Sequence, residues 1–507
     1  MPLRQHARAT MVVALVHVLV LAPMAGCSAA GWEIYRTHPF VEATADELSE
    51  HLRQPARTVS ITTLQNDWAH AALGIKLGPG VESAAVTVEL DATPAVRKHV
   101  QLRVAGYVNQ KGLGHSIDPI FADPGGLDIK LQEHVRNLGN IREFPTVTVT
   151  RRDPVLLWIT LDTRDMAPGR YTGAVAFNGQ DGVTRRVPLQ IEVGDYQLPV
   201  ENPLYTWGWQ FGRDWVDDYY DYGINVVHVN KDMERAREVG YKFFAIRFNP
   251  AWKSSDPAAF DQDEAQQALD SVRAMVERLD LHPHEWAIYM KDEPNDEKAP
   301  GQVRWCEWVL QRWPQARFLF NPGWGPGGST TNEWGSIEGT IEPLAPYADV
   351  WLPYSHWLWD DSAPRSLELM RQSADSVWFY EIMGSSYSRK PSVGRSMLRS
   401  LAWTAWRYDL EGACWYSLNA YSVNMWSDNS EAEEYACTYG TIPGRGLEAV
   451  RQGIQEYKRL YEMRRLGVPE AETDAFCRRL FDADSVIELT RIRRQMDRRL
   501  LQAAGAA

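Results

Sequence analysis

Between residues 33 and 197, apolar and polar side chains alternate in short runs, over 58–62, 85–90, 100–104, 146–150, 154–161, 173–177 and 187–193. A period of two puts successive side chains on opposite faces of a strand, and the Gly, Pro, Asn and Asp clusters between the runs are turn formers. The pattern predicts an antiparallel β-sandwich over residues 33–198. Within it, Ala167-Pro168-Gly169-Arg170-Tyr171-Thr172-Gly173 reads as a turn at a sandwich corner. Beyond Leu198-Pro199-Val200-Glu201-Asn202-Pro203 the texture changes. Apolar runs at 205–210, 225–230, 243–249, 286–293, 317–322, 349–355, 376–384 and 412–421 now alternate with amphipathic segments such as 263–279, 300–311 and 396–409. Eight strand–helix repeats in roughly 250 residues make a (β/α)8 TIM barrel, predicted over 204–465. Helical periodicity around 447–463 and again at 483–503 follows, with 466–507 as a helical extension whose arginines read as the solvated face of a packing helix.

The length of 507 residues exceeds one ordinary core, in keeping with a multi-domain chain. With 44% apolar and 23% charged residues the composition is that of a folded protein. The formal charge of −13 is spread without a basic block, which argues against nucleic acid as a partner and favours neutral or basic substrates. Arg4 and Arg8, the apolar stretch 11–21 and the small residues ahead of Cys27 predict a signal peptide over residues 1–27. Its end, Met24-Ala25-Gly26-Cys27-Ser28, resembles the lipobox of bacterial lipoproteins, which makes Cys27 the expected lipidation site. Plain secretion is the other reading. Both put the mature protein outside the cytoplasm, in the cell envelope or secreted, and the first ties it to a membrane only through an N-terminal lipid. The remaining cysteines, Cys306, Cys414, Cys437 and Cys477, have no Cys-x2-Cys spacing, so buried thiols are expected and a zinc site is not.

The chemistry concentrates at the ends of the barrel runs. Asp292 and Glu293 follow the apolar run 286–290 and precede Pro294, and paired carboxylates at the C-terminal end of a barrel strand lie where such folds keep their active sites. Both address one pocket only if the strand bends or ends there, which Pro294 encourages. Trp207, Asn249, Trp252, Asn321, Trp324, Tyr354, Trp357, Trp415, Tyr416 and Asn419 fall at or just past other strand ends. Indole and phenol faces stack on the C–H faces of sugar rings while amides and carboxylates hydrogen-bond hydroxyls, so these are read as a carbohydrate-binding lining, with roughly half the tryptophans assigned to packing.

The Asp292-Glu293-Pro294 strand end, the Gly169-Arg170-Tyr171-Thr172-Gly173 segment and the tail from Pro443 to Tyr457, with Arg445, Arg451, Gly453 and the Glu456-Tyr457 pair, together resemble glycoside hydrolase family 123 and its DUF4091-type relatives over most of residues 33–465. The resemblance implies a β-N-acetylhexosaminidase working by substrate assistance, with Glu293 as acid and base, Asp292 supporting the 2-acetamido group, an amino-sugar glycan as partner and no metal or cofactor. Glu381 ends strand seven. It is a candidate nucleophile for a two-carboxylate retaining mechanism with Glu293, or a substrate-binding or salt-bridged residue. A surface lipoprotein that binds glycans without cleaving them is a further reading, since fold does not fix function.

Overall fold

The computed structural model describes residues 31–40, 45–110, 114–121, 146–209, 216–228, 233–323, 325, 335–359, 363–382, 391–416, 418, 438–439 and 442–506. The predicted signal peptide with Cys27, and the candidates Trp324 and Asn419, lie outside the described residues.

Among the described residues, ten strands precede the barrel: β1 Trp32–Thr37, β2 Val59–Gln65, β3 Trp68–Leu77, β4 Ser83–Ala92, β5 Val100–Gln110, β6 Gly114–Phe121, β7 Thr146–Thr150, β8 Val155–Asp162, β9 Gly169–Gly179 and β10 Thr184–Gln197. They form two five-stranded sheets, ordered β1-β3-β8-β5-β6 and β2-β10-β9-β4-β7. Leu73, Val104, Leu157 and Ile159 from the first meet Ile61, Val88, Phe177 and Ile191 from the second in one buried core. Two expectations need correcting. The sheets are not wholly antiparallel, because β2 runs parallel to β10. The segment Gly169 to Gly173 is not a turn but the start of β9, where Gly173 faces Ala92 of β4 across the ladder and the Tyr171 hydroxyl donates to the Ala167 carbonyl at 2.7 Å.

The eight expected barrel strands are present as β11 Tyr205–Gly208, β12 Val226–Val227, β13 Phe243–Arg247, β14 Trp286–Tyr289, β15 Phe318–Phe320, β16 Ala348–Trp351, β17 Ser376–Ile382 and β18 Gly412–Tyr416. All their pairings are parallel, in the order β11-β18-β17-β16-β15-β14-β13-β12. The seam between β11 and β12 is drawn together by Asn225, whose backbone N–H donates to the Thr206 carbonyl at 3.1 Å and whose Oδ1 accepts from the Thr206 N–H at 2.8 Å. The sheet is thus a nearly closed barrel.

Helices Arg445–Arg465, Glu470–Asp482 and Val486–Ala506 complete the fold; the second lies within the helical extension expected over 466–507, where periodicity marked only the last helix. The last helix is not simply solvated. Leu489, Ile492, Met496 and Leu500 join a buried cluster with Leu64, Trp403 and Leu460, while Arg493 ion-pairs with Asp67. Asp67, in the β2–β3 turn, also pairs with Arg459, which reaches Asp497 at 2.7 Å. Nearby, Glu448 bonds Arg103 of β5 and Arg451, and Glu456 holds Arg399 and accepts from the Trp403 indole at 2.9 Å. Burial alone raises the Asp67 and Glu448 carboxyls, but the arginines beside them outweigh it and hold both well below the ordinary carboxylate range. The tail motif therefore has a structural account. Its arginines and glutamates are buried ties between the N-terminal strands, the helix Pro391–Arg407 and the C-terminal helices, and Gly453 lies where a Cβ would come within 2.0 Å of the Arg399 carbonyl.

Candidate active site

Aromatic side chains fill the barrel axis in layers. Tyr205 stacks on Trp378 at 4.9 Å with Phe243 against the same indole. Two residues further along the strands, Trp207, Tyr289 and Tyr380 face inward by the same parity. Trp207 stacks on Trp209 at 4.1 Å and meets the Tyr289 ring edge-on at 5.6 Å, while Trp209 lies 5.4 Å from the Tyr380 ring. His228 packs beside Trp207 and Tyr289, and burial, helped by Arg247, pushes its imidazole down to about 4.

Above this floor, β14 ends at Tyr289 and the chain turns. Glu293 has φ 45°, in the left-handed region that costs a non-glycine residue roughly 1–2 kcal/mol. That turn, followed by Pro294, brings two consecutive carboxylates to the same mouth, both half-buried. Asp292 Oδ1 accepts from the Tyr289 hydroxyl at 2.5 Å and from Asn321 Nδ2 at 2.5 Å. The other end of the Asn321 amide accepts the Glu293 N–H at 3.3 Å, so one fully buried asparagine ties both acid positions together. Glu293 Oε1 accepts from the Tyr380 hydroxyl at 2.6 Å. Burial first, and the neighbouring carboxylates second, push both phenols well above their usual range, so each remains a donor at neutral pH. The following loop is pinned as well. Asp296 accepts from the Ser336 N–H and hydroxyl at 2.8 Å each and from Thr340 Oγ1 at 2.7 Å, and Asn295 Oδ1 accepts the Lys298 N–H at 2.9 Å as the helix Ala299–Leu310 begins.

The other candidates divide by what they touch. Tyr354 is buried against Tyr380 at 5.2 Å. Asn249 is exposed at the start of a short helix after β13, and Trp252 lies 5.5 Å from Tyr289 with the Arg247 guanidinium 3.9 Å over its ring. Tyr416 is half-buried on the same face of β18 as Gly412, whose backbone abuts the inward Trp378. Trp207, at 0% exposure, is floor and not wall. Trp357 is also buried: its indole N–H donates to the Gly323 carbonyl at 2.6 Å, and a Cβ on Gly323 would lie 3.1 Å from that of Glu293, so Trp357 braces the loop behind Glu293. Trp415 has the opposite parity to Tyr416, is fully buried, and borders a small void with Leu398, Leu401 and Val450, on the helix side of the sheet. Glu381 likewise has the opposite parity to Tyr380; it is 2% exposed and accepts from the Ser355 hydroxyl. Trp415 and Glu381 are not brought to the mouth, because a strand buried on both faces sends alternate side chains into the helix layer.

Three residues at the mouth escaped the sequence reading: Tyr289, Tyr380 and Arg247. Tyr380 is next to the chosen Glu381, and only the parity of β17 separates the two.

No protein-family model matches the chain, and no curated protein does. Among solved structures it is similar to a family 123 glycoside hydrolase from Clostridium perfringens studied for glycolipid glycan hydrolysis, with a TM-score of 0.64 at 10% identity over 94% of this chain and 98% of that one. A family 5 xyloglucanase from Bacteroides ovatus aligns over 79% of this chain and 98% of its own at 8% identity, but with a TM-score of 0.29, too low to carry an argument. What the first likeness shows is a shared fold. It extends over nearly the whole of both chains.

Proposed function

We propose that this protein is a glycoside hydrolase that cleaves β-linked N-acetylhexosamine, of the GalNAc or GlcNAc type, by substrate assistance. The observation that carries the reading is the acid pair at the mouth, with Asp292 oriented by Tyr289 and Asn321 and Glu293 by Tyr380. The likeness to an enzyme of glycolipid glycan hydrolysis supports it at the level of fold. In the first step the 2-acetamido oxygen of the sugar bonds to C1 as the bond from C1 to the leaving oxygen breaks, and protonated Glu293 gives its proton to that oxygen. Asp292 accepts the acetamido N–H and offsets the charge of the oxazolinium ion. Both donors to Asp292 act on Oδ1, so Oδ2 is the oxygen offered to the substrate. In the second step Glu293, now ionised, takes a proton from water as the water oxygen bonds to C1 and the acetamido oxygen leaves, which restores the enzyme and retains configuration. The aromatic layer of Trp209, Trp252 and Tyr380 supplies faces for sugar C–H groups.

The two-carboxylate alternative needs a second carboxyl ~5–5.5 Å from Glu293 at the mouth. The outward parity and burial of Glu381 favour the first reading. A panel of aryl β-glycosides with and without the 2-acetamido group tests it: only the acetamido sugars are cleaved, Glu293→Gln loses turnover of poor leaving groups while still binding, and Asp292→Asn loses ~10²–10⁴-fold in kcat. Cleavage of sugars lacking the acetamido group, with a 2-fluoro sugar trapped on Glu381, overturns the mechanism. Binding without hydrolysis of any glycan would make the protein a glycan-binding one. The reading extends to an envelope lipoprotein anchored through Cys27, for which incorporation of labelled palmitate is lost in Cys27→Ala.

A further inference from the structure

Away from the barrel mouth, a cavity of about 780 Å³ opens between β1, β2, β3 and the helices Pro391–Arg407, Arg445–Arg465 and Val486–Ala506. It shares no lining residue with the acid pair or the aromatic layer. Arg36, Arg53, Arg57, Arg399, Arg493 and Arg494 all line it, and among the described residues no Asp or Glu does. That is a local reversal of sign in a chain whose formal charge is −13. Arg399 and Arg493 are already matched by Glu456 and Asp67, and Arg53 donates through Nε to the Glu50 carbonyl at 2.6 Å. Among the described residues, Arg36, Arg57 and Arg494 have no acidic partner. Guanidinium groups gathered around one cavity repel each other unless a counter-anion joins them, and their planar N–H forks match tetrahedral and carboxylate oxyanions. Between the arginines the wall carries the exposed hydroxyls of Ser60 and Thr62 and the exposed amide of Gln54, beside apolar side chains such as Ile61 and Ala72; Gln452 and Thr490 also line it but already bond Trp68, Arg493 and Val486. The volume falls within the usual range for a site that encloses a small ligand.

We propose that this cavity is a second, non-catalytic binding site for a saccharide of one or two rings carrying several sulfate or phosphate groups. The oxyanions are held by Arg36, Arg57 and Arg494 and the ring hydroxyls by the side chains of Ser60, Thr62 and Gln54. The site does not depend on the function proposed for the barrel. Calorimetric titration of the full chain with a trisulfated disaccharide, the same disaccharide without sulfate, and a sugar bisphosphate tests it. The expected result is saturable binding of at least one charged probe, weakened by added salt, with the uncharged disaccharide silent. Whichever charged probe binds more tightly identifies the oxyanion. Arg57→Gln and Arg494→Gln, both exposed and without acidic partners, fold normally and weaken that binding by roughly tenfold each. Turnover of aryl glycosides is unchanged in both, and Glu293→Gln binds the charged probe like the parent. The proposal is overturned if neither charged probe binds, if the uncharged disaccharide binds equally, or if both arginine variants retain the parent affinity.

Discussion

Glu293 stands in a backbone conformation that disfavours any residue with a Cβ, and its side chain is met there by the Tyr380 hydroxyl at 2.6 Å. A donor to a carboxylate favours the ionised form, so removing it makes the acid form persist to higher pH. Tyr380→Phe should therefore move the alkaline limb of kcat/KM upward and lower kcat by roughly ten- to a hundredfold, with little change in KM. A pH–rate series on the variant checks both; an unmoved limb with normal kcat would remove Tyr380 from the site. Asn321 acts differently. Its two amide ends hold Asp292 and the Glu293 backbone, so Asn321→Ala is expected to disturb both carboxylates at once, whereas Tyr289→Phe removes a direct hydrogen bond from Asp292 alone of the two.

Among the elements, the contact between helices Pro391–Arg407 and Arg445–Arg465 is the most exacting. Gly453 sits in the interior of a helix, where helix propensity alone makes Gly→Ala stabilising by about 1 kcal/mol. At this position the added methyl would meet the Arg399 carbonyl, and Arg399 is itself held by Glu456. Gly453→Ala should then destabilise by roughly 1–3 kcal/mol or more, read as a lowered Tm. A raised Tm would contradict the close approach. The β2–β3 turn gives a second test. Asp67 is fully buried between Arg459 and Arg493, and Asp67→Asn leaves those guanidinium groups without a carboxylate they share, a loss on the order of 3–5 kcal/mol in thermal or urea unfolding.

For the whole molecule the buried histidines set a pH dependence. Burial lowers His38 to about 3, with Arg399 adding to the effect, and lowers His70 and His228 to about 4. In the unfolded chain each returns to about 6.5. Between these values the unfolded state binds more protons than the folded one, so stability is fully present above about 6.5 and is lost as pH falls toward 4. The depressed Asp67 and Glu448 carboxyls extend the loss below that. The urea midpoint should fall steadily from pH 7.5 to 4.5; a flat or rising midpoint would contradict the neutral, buried assignment. At the same scale, Cys306, Cys414 and Cys477 are buried and unpaired, so reductant should leave the transition unchanged, while Cys437 lies outside the described residues.

Local pattern sufficed for the barrel. Its eight strands, each a short apolar run between helical stretches, begin within a residue or two of where periodicity puts them, and the position of Asp292 and Glu293 at the end of the fourth follows from the same count. Periodicity was weaker for β1, β3 and β6, and in β3 the alanines at 69, 71 and 72 blur the alternation. What tertiary structure alone decided was parity and partnership. A strand buried on both faces carries no hydropathic mark of which side chain points to the axis, so Tyr380 and Glu381, or Trp415 and Tyr416, are indistinguishable until the sheet closes. The ties from Asp67 to Arg459 and Arg493, and from Arg103 to Glu448, join residues hundreds of positions apart, and no local window contains both partners. For the same reason the arginines of the last helix read as a solvated face until the packing of that helix against β2 and β10 turned Arg493 inward.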